Sequence, residues 1–171
     1  MAERSQAPLL PDHLFVYGTL RPGQSAFEKF CREALTIDPA VASGFLYVVP
    51  AGYPILVLPE TPGGTPQSRG PGTVIGDVLS FPDLDVRLAE IDAYECVDSR
   101  SVLPTLSTTA LPASAPEAAC GNDEYLRTII EVRLLHSRRV MNAWAYACPP
   151  LRMGEVKRSG RLIAGGDWND R

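Results

Sequence analysis

The chain has 171 residues, with 16 Lys and Arg against 20 Asp and Glu and a formal net charge of −4. This length is that of one domain, and the acidic balance argues against a broad basic surface for nucleic acid. Its 16 prolines, about twice the usual share, favour a loop-rich mixture of helix and strand over a helical bundle. No window has the composition of a signal peptide or the length of a membrane span, so we expect a cytoplasmic protein with neither nucleic acid nor membrane as a partner.

Strands are expected where short apolar runs, rich in β-branched and aromatic residues, are bounded by Gly and Pro. Six runs fit this description: residues 14–17, 41–49, 53–58, 73–81, 125–135 and 139–147. Two helices are expected from apolar residues at helical spacing, one over residues 25–34 with Ser25 as its N-cap and one from residue 84 to about 94 with Asp83 as its N-cap.

The strands cluster without regular alternation with helices, which predicts an α+β fold: a small mixed β-barrel, closed or half closed, with peripheral helices. Residues 13–171 are expected to form a single domain, preceded by a loose lead-in over residues 1–12. Residues 104–122 are low in charge and rich in Ala, Pro, Ser and Thr. A loop of this length inside a small domain is usually a functional lid or a disordered insertion, and both interpretations stay open.

The four cysteines and two histidines do not predict a metal site. No two cysteines form a C-x-x-C pair, and His13 and His136 are far apart in the sequence. We expect solvated histidines, reduced cysteines that fill the core, and neither a metal nor another cofactor, although a zinc site assembled in space is not excluded.

The segment Tyr17-Gly18-Thr19-Leu20 directly follows the first apolar run. A strand that ends at Gly18 leaves successive backbone N–H groups free to bind a carboxylate or a developing oxyanion. An equally good interpretation is a tight turn that needs Gly for its backbone angles.

A carboxylate is expected on the buried face of the second helix. Glu95 lies four residues beyond Ile91, so a helix that continues to residue 94 would place it on the same inward stripe. A buried Glu has a raised pKa, which suits a general base. Alternatively, Glu95 is solvated or pairs with Arg100 or Arg127.

Seven segments then occur in a familiar order: HLFVYGTLRPG, GFLYVVPAGYPIL, VIGDVLSF, LAEIDAYE, EYLRTIIEV, AWAYA and IAGGDW. With this ordered set, over residues 13–168, the chain resembles the γ-glutamylcyclotransferase-like (AIG2-like) family. Its YGTL form is similar to the γ-glutamylamine cyclotransferase branch.

The resemblance implies a small barrel with peripheral helices and a metal-free reaction. In that reaction a small-molecule γ-glutamyl substrate cyclises to 5-oxoproline and releases its amine. The resemblance implies that Glu95 is the catalytic general base and that Tyr125 lines the pocket. It assigns substrate binding to Phe15, Val16, Tyr17, Gly18, Thr19 and Leu20. We expect a monomer or a weak homodimer.

The chain departs from the family's pattern at three places. Cys96 follows the Glu where Gly is usual, so a special backbone angle there would cost strain. Asp77 stands where a Glu is usual, and the interval from Glu95 to Tyr125 is longer than the family norm. Two alternatives therefore stay open: a non-catalytic small-molecule-binding or scaffold domain of the same fold, and related chemistry on a different amide.

Overall fold

The computed structural model describes residues 10–60, 72–97 and 124–171. The expected insertion at 104–122 and all but the end of the expected lead-in lie outside these ranges. The strands are β1 (His13–Val16), β2 (Thr36–Ser43), β3 (Phe45–Val48), β4 (Pro54–Val57), β5 (Thr73–Ser80), β6 (Leu126–Leu134), β7 (Val140–Ala147) and β8 (Arg161–Ile163). The helices are α1 (Phe27–Phe30), α2 (Leu84–Tyr94) and α3 (Met153–Ser159), with 3₁₀ turns at Pro150–Arg152 and Trp168–Asp170.

Five strands close a barrel in the order β1-β5-β2-β6-β7. Four of its pairings are antiparallel, and the barrel closes where β7 pairs with β1 in parallel through Trp144 and Leu14. A second sheet has the order β4-β3-β8. The predicted α+β fold, a small mixed barrel with peripheral helices, is confirmed.

Two predicted elements are corrected by the structure. The strand expected over residues 41–49 is divided at Gly44, whose φ of 150° turns the chain out of the barrel, so that β2 belongs to one sheet and β3 to the other. The helix expected over residues 25–34 is the single turn of α1, and its N-cap is Ala26, not Ser25. The helix ends because the chain turns directly after it, where the Ala34 N–H donates to the Cys31 carbonyl oxygen at 3.0 Å, and then enters β2.

The other helix begins after Asp83, as predicted, although the Asp83 side chain makes no capping hydrogen bond. Two elements near the end of the chain, α3 and β8, were missed. Both are short, and β8 is a three-residue edge strand that owes its form to pairing with β3. A pattern of so few residues carries little periodic signal.

Two apolar clusters lie on the two sides of the barrel wall, because successive side chains of a strand point in opposite directions. One cluster takes Phe15 and Tyr17 of the first strand and its turn, with alanines of β2 and β7. The other takes Leu14 and Val16, together with residues of α1 and α2, and therefore lies outside the barrel beneath the helices. The chain leaves the barrel wall after Val16, and this exit is where the candidate site lies.

Candidate active site

Glu95 caps the C-terminal end of α2. Its backbone N–H donates to the carbonyl oxygen of Ile91 at 2.8 Å, and Ile91 is fully buried, so Glu95 continues the inward stripe as predicted. Burial, and to a smaller extent the charge of Glu124, raises the pKa of Glu95 to about 7. The carboxyl group therefore changes its charge near neutral pH, as a general base requires.

Cys96, which stands where the family that the chain resembles usually has Gly, adopts an unusual backbone angle. Its φ is 52°, in the left-handed region that Gly adopts most easily. The expectation of reduced cysteines is wrong for this residue, because Cys96 is disulfide-bonded. Cys31 and Cys148 are free and buried, in agreement with the expected role in the core.

The turn after β1 presents backbone donors. Arg21 N–H donates to the Gly18 carbonyl oxygen at 3.0 Å, and Ala26 N–H donates to the Thr19 carbonyl oxygen at 3.0 Å. The N–H groups of residues 18–20 make no hydrogen bond with the described ranges of the chain. A run of free N–H groups on one short turn is an arrangement that binds anionic oxygens.

Gly18 is required by space and not by its backbone angle. Its φ is not positive, and a Cβ added to it would collide with the ring of Pro54. The alternative interpretation was a tight turn that needs Gly for its backbone angles, and it therefore gives the wrong reason for this glycine. The close approach brings the YGTL turn against the start of β4.

Three tyrosine hydroxyl groups in the same cavity as Glu95 donate hydrogen bonds to other atoms of the protein. Tyr17 donates to the carbonyl oxygen of Tyr146 at 2.6 Å, and Tyr125 donates to the carbonyl oxygen of Pro54 at 2.6 Å. Tyr146 donates to Oδ1 of Asp92 at 2.7 Å. Burial raises the pKa of all three phenols well above the usual range, so they stay neutral and form the walls of the site.

Arg127 does not pair with Glu95, which was one alternative. Its Nη1 lies 2.9 Å from Oδ2 of Asp92, and its guanidinium lies 5.0 Å from the centre of the Trp144 ring. The other alternative partner, Arg100, lies outside the described residues. Burial raises the pKa of Asp92, although the Tyr146 hydroxyl and Arg127 oppose this.

Glu95, the YGTL turn and the three tyrosines meet in one cavity. Every site residue predicted from the sequence lines it, and the structure adds Pro54 and Tyr146. The lining residues are Phe15, Val16, Tyr17, Gly18, Thr19, Leu20, Pro54, Glu95, Tyr125 and Tyr146. The two additional residues stood in segments quoted for the resemblance, but no local pattern indicated that they face the cavity.

Within the described ranges, no group of three or more His, Cys, Asp or Glu side chains is arranged to hold a metal ion. No helix in that part of the chain is long and apolar enough to cross a membrane.

The family described as "Gamma-glutamyl cyclotransferase, AIG2-like" has a sequence profile that matches residues 14–170. The chain belongs to this family. The matched residues include both the YGTL turn and Glu95. No curated protein matches the chain.

Solved structures share the fold. An AIG2-like protein of Mus musculus is 19% identical, with a TM-score of 0.50, over 82% of this chain and 80% of that protein. YkqA of Bacillus subtilis is 18% identical, with a TM-score of 0.54, over 93% of this chain. This chain spans only 40% of the length of YkqA.

The same fold also forms part of a larger enzyme. The allophanate hydrolase of Kluyveromyces lactis is 16% identical, with a TM-score of 0.51, over 95% of this chain and 21% of the hydrolase. At these identities, the likeness concerns the fold alone.

Proposed function

We propose that this AIG2-like protein is a γ-glutamyl cyclotransferase that converts a γ-glutamyl amine into 5-oxoproline and the free amine. One observation carries the proposal. A carboxyl group with a pKa of about 7, Glu95, lines the same cavity as residues 18–20, whose N–H groups make no hydrogen bond within the described ranges. A base and an oxyanion site in one small cavity are what an intramolecular acyl transfer needs.

The proton balance of the reaction fits a single carboxylate. The substrate's α-amino group is mostly protonated at neutral pH, since such groups have a pKa near 8. The ammonium group first loses one proton to solvent, so that the neutral nitrogen can attack. Glu95 accepts the second proton as this nitrogen forms a bond to the γ-carbonyl carbon. The bond between that carbon and the departing nitrogen then breaks, and Glu95 returns the proton to the leaving amine.

The turn at Gly18–Leu20 supplies the donors for the reaction. The hydroxyl hydrogens of Tyr17, Tyr125 and Tyr146 are already donated to protein oxygens. Among the described residues that line the cavity, the backbone N–H groups of the turn and the Thr19 hydroxyl therefore remain as donors for the γ-carbonyl oxygen or the α-carboxylate of the substrate. Holding the substrate folded is the main task, because nucleophile and carbonyl belong to one molecule.

The proposal includes the setting predicted from the sequence. We propose a small-molecule γ-glutamyl amine as the substrate class, no cofactor, a cytoplasmic location, and action as a monomer or weak homodimer. The disulfide at Cys96 is an exception to the reduced thiols that this location favours.

The test is mass spectrometry of 5-oxoproline release from γ-glutamyl-ε-lysine, γ-glutamyl dipeptides and glutathione. Wild-type protein is compared with Glu95→Gln, which keeps the shape of the side chain and removes the base. Glu131→Gln is the matched control, because Glu131 is exposed on β6. We expect product from wild type and Glu131→Gln, and a fall of about 100-fold or more in Glu95→Gln.

Two results would contradict the proposal. Substantial turnover by a folded Glu95→Gln variant would remove Glu95 from its role. Tight binding of these compounds by the wild-type protein, with no product from any of them, would favour the alternative of a non-catalytic binding domain.

A further inference from the structure

Arg21 is almost buried and is held by two carboxylates from distant parts of the chain. We infer that Arg21, together with Asp77 and Asp167, positions the turn at Gly18–Leu20. Through Asp167, the C-terminal Gly-Gly-Asp-Trp segment therefore contributes to the geometry of the active site. The inference rests on the proposed function. It assigns these residues a positioning role, without contact with the reacting atoms.

Two different nitrogens of the guanidinium make the two contacts. Nε lies 2.7 Å from Oδ2 of Asp77, and Nη1 lies 2.7 Å from Oδ1 of Asp167. The side chains of Arg21, Asp77 and Asp167 are only 12%, 9% and 10% exposed. Two fixed partners leave a planar guanidinium few orientations. A lysine ammonium in the same place would not reproduce this fixed geometry.

Arg21 is also the residue that closes the substrate turn. It directly follows Leu20, and its own N–H donates to the Gly18 carbonyl oxygen at 3.0 Å. The side chain therefore fixes the end of the same short segment that lines the cavity. A shift of about 1 Å in such donors can cost on the order of 100-fold in rate.

The C-terminal segment that carries Asp167 is itself fixed to the barrel. The N–H of Ile75 on β5 donates to the Gly166 carbonyl oxygen at 2.8 Å. Gly166 has a φ of 65°, and a Cβ added to it would collide with the carbonyl oxygen of Thr73. The segment is thus seated directly on β5, the strand that also carries Asp77.

A second contact joins the same two regions. Nε2 of Gln24 donates to Oδ1 of Asn169 at 2.8 Å. Asp167 in turn accepts from the N–H of Asn169 at 3.0 Å, which orients its carboxylate. The stretch after the YGTL turn and the end of the chain are therefore joined twice, once through a nearly buried ion pair.

The experiment compares Asp167→Asn and Arg21→Lys with wild type. Asp170→Asn is the matched control: it makes the same change of charge at an exposed side chain in the 3₁₀ turn that Asp167 caps. Three quantities are measured: kcat and KM for 5-oxoproline release per folded molecule, the pH profile of kcat/KM, and hydrogen–deuterium exchange of the amides of residues 18–20.

We expect kcat/KM to fall by about 10- to 100-fold in Asp167→Asn and Arg21→Lys, and to stay within about twofold of wild type in Asp170→Asn. Amide exchange in the turn should become faster in the first two variants only. The acid limb of the pH profile should stay in place, because Glu95 and its surroundings are unchanged.

Other outcomes separate this inference from the proposed function. If both variants lose thermal stability while kcat, KM and amide exchange per folded molecule match wild type, the network is merely structural and the inference is overturned. If wild type releases no 5-oxoproline at all, the proposed function fails. Amide exchange in the turn then decides by itself whether Arg21 holds it: faster exchange supports the positioning, and unchanged exchange overturns it.

Discussion

The hydroxyl group of Tyr146 donates a hydrogen bond of 2.7 Å to Oδ1 of Asp92. Tyr146 is on barrel strand β7 and lines the cavity, whereas Asp92 is on α2, three residues before Glu95. Arg127 on β6 holds the other oxygen of the same carboxylate at 2.9 Å. The end of α2 that carries the proposed base is therefore attached to two strands of the barrel.

Removal of this hydroxyl should loosen the attachment. In Tyr146→Phe, Oδ1 of Asp92 loses its donor while Arg127 keeps its contact, so we expect the free energy of unfolding to fall by about 2 kcal/mol, the usual worth of a hydrogen bond to a charged group. Urea denaturation measures it. Tyr94→Phe is the control, since Tyr94 is 45% exposed, and its stability should be almost unchanged. Equal stability of the two variants would mean that the bond contributes little.

The stability of Glu95→Gln relative to wild type should increase as pH rises. Burial raises the pKa of Glu95 from 4.5 to about 7 in the folded protein, because it disfavours the charged carboxylate. The neutral carboxyl is free of this penalty, so the stability that it confers relative to the carboxylate is complete below pH 4.5 and is lost as pH rises through 7. Glu95→Gln should therefore match wild type near pH 4.5 and exceed it above pH 8, by at most about 3 kcal/mol. Thermal unfolding between pH 4.5 and 8.5 measures the difference, and a constant difference would show that Glu95 ionises as it does in water.

The activity should rise with pH as Glu95 loses its proton. We expect the acid limb of kcat/KM near pH 7. Glu124→Gln removes a charge that raises the pKa of Glu95, so the acid limb of this variant should move to lower pH. The contact between the main-chain carbonyl oxygen of Glu124 and Arg152, at 3.0 Å, is kept. Glu131→Gln, at an exposed site, should leave the limb in place. A limb that moves equally in both variants would indicate a general effect of net charge.

Gly18→Ala should damage the site through one methyl group. The new Cβ would collide with Pro54, so the turn must move away from β4, and we expect kcat/KM to fall by about tenfold or more. Gly154→Ala is the matched control, because a Cβ there meets no atom within 4 Å and Gly154 lies in α3, where Ala is preferred. Full activity of Gly18→Ala would mean that the turn can be displaced without harm.

Cys96→Gly and Cys96→Ala separate the backbone angle from the disulfide. Both variants lose the bond, but only Gly adopts the φ of 52° without strain, so we expect Cys96→Gly to be more stable than Cys96→Ala by about 1 kcal/mol. Thermal and urea unfolding measure this difference. If the two variants are equally stable, the backbone has relaxed to another angle in Cys96→Ala.

The sequence by itself determined the strand character of the chain and, through its resemblance to a family, indicated residues that the structure brings together in one cavity. Apolar runs bounded by Gly and Pro are strong local signals, so β5, β6 and β7 lie within about a residue of their expected bounds. The spacing of Ile91 and Glu95 places both on one helical face, because the helix repeats every 3.6 residues. The question of a special backbone angle at Cys96 came from the resemblance, because Gly is usual there, and its value came from the structure.

Only the tertiary structure decided how these parts meet. The division of residues 41–49 at Gly44, the pairing of β8 with β3 and the approach of Pro54 to Gly18 depend on strands brought together across the barrel. The partners of Arg21, at residues 77 and 167, and the choice of Asp92 over Glu95 by Arg127 are likewise contacts over long separations. Local pattern cannot specify them, because each is selected by packing and by the cost of leaving a buried charge without a partner.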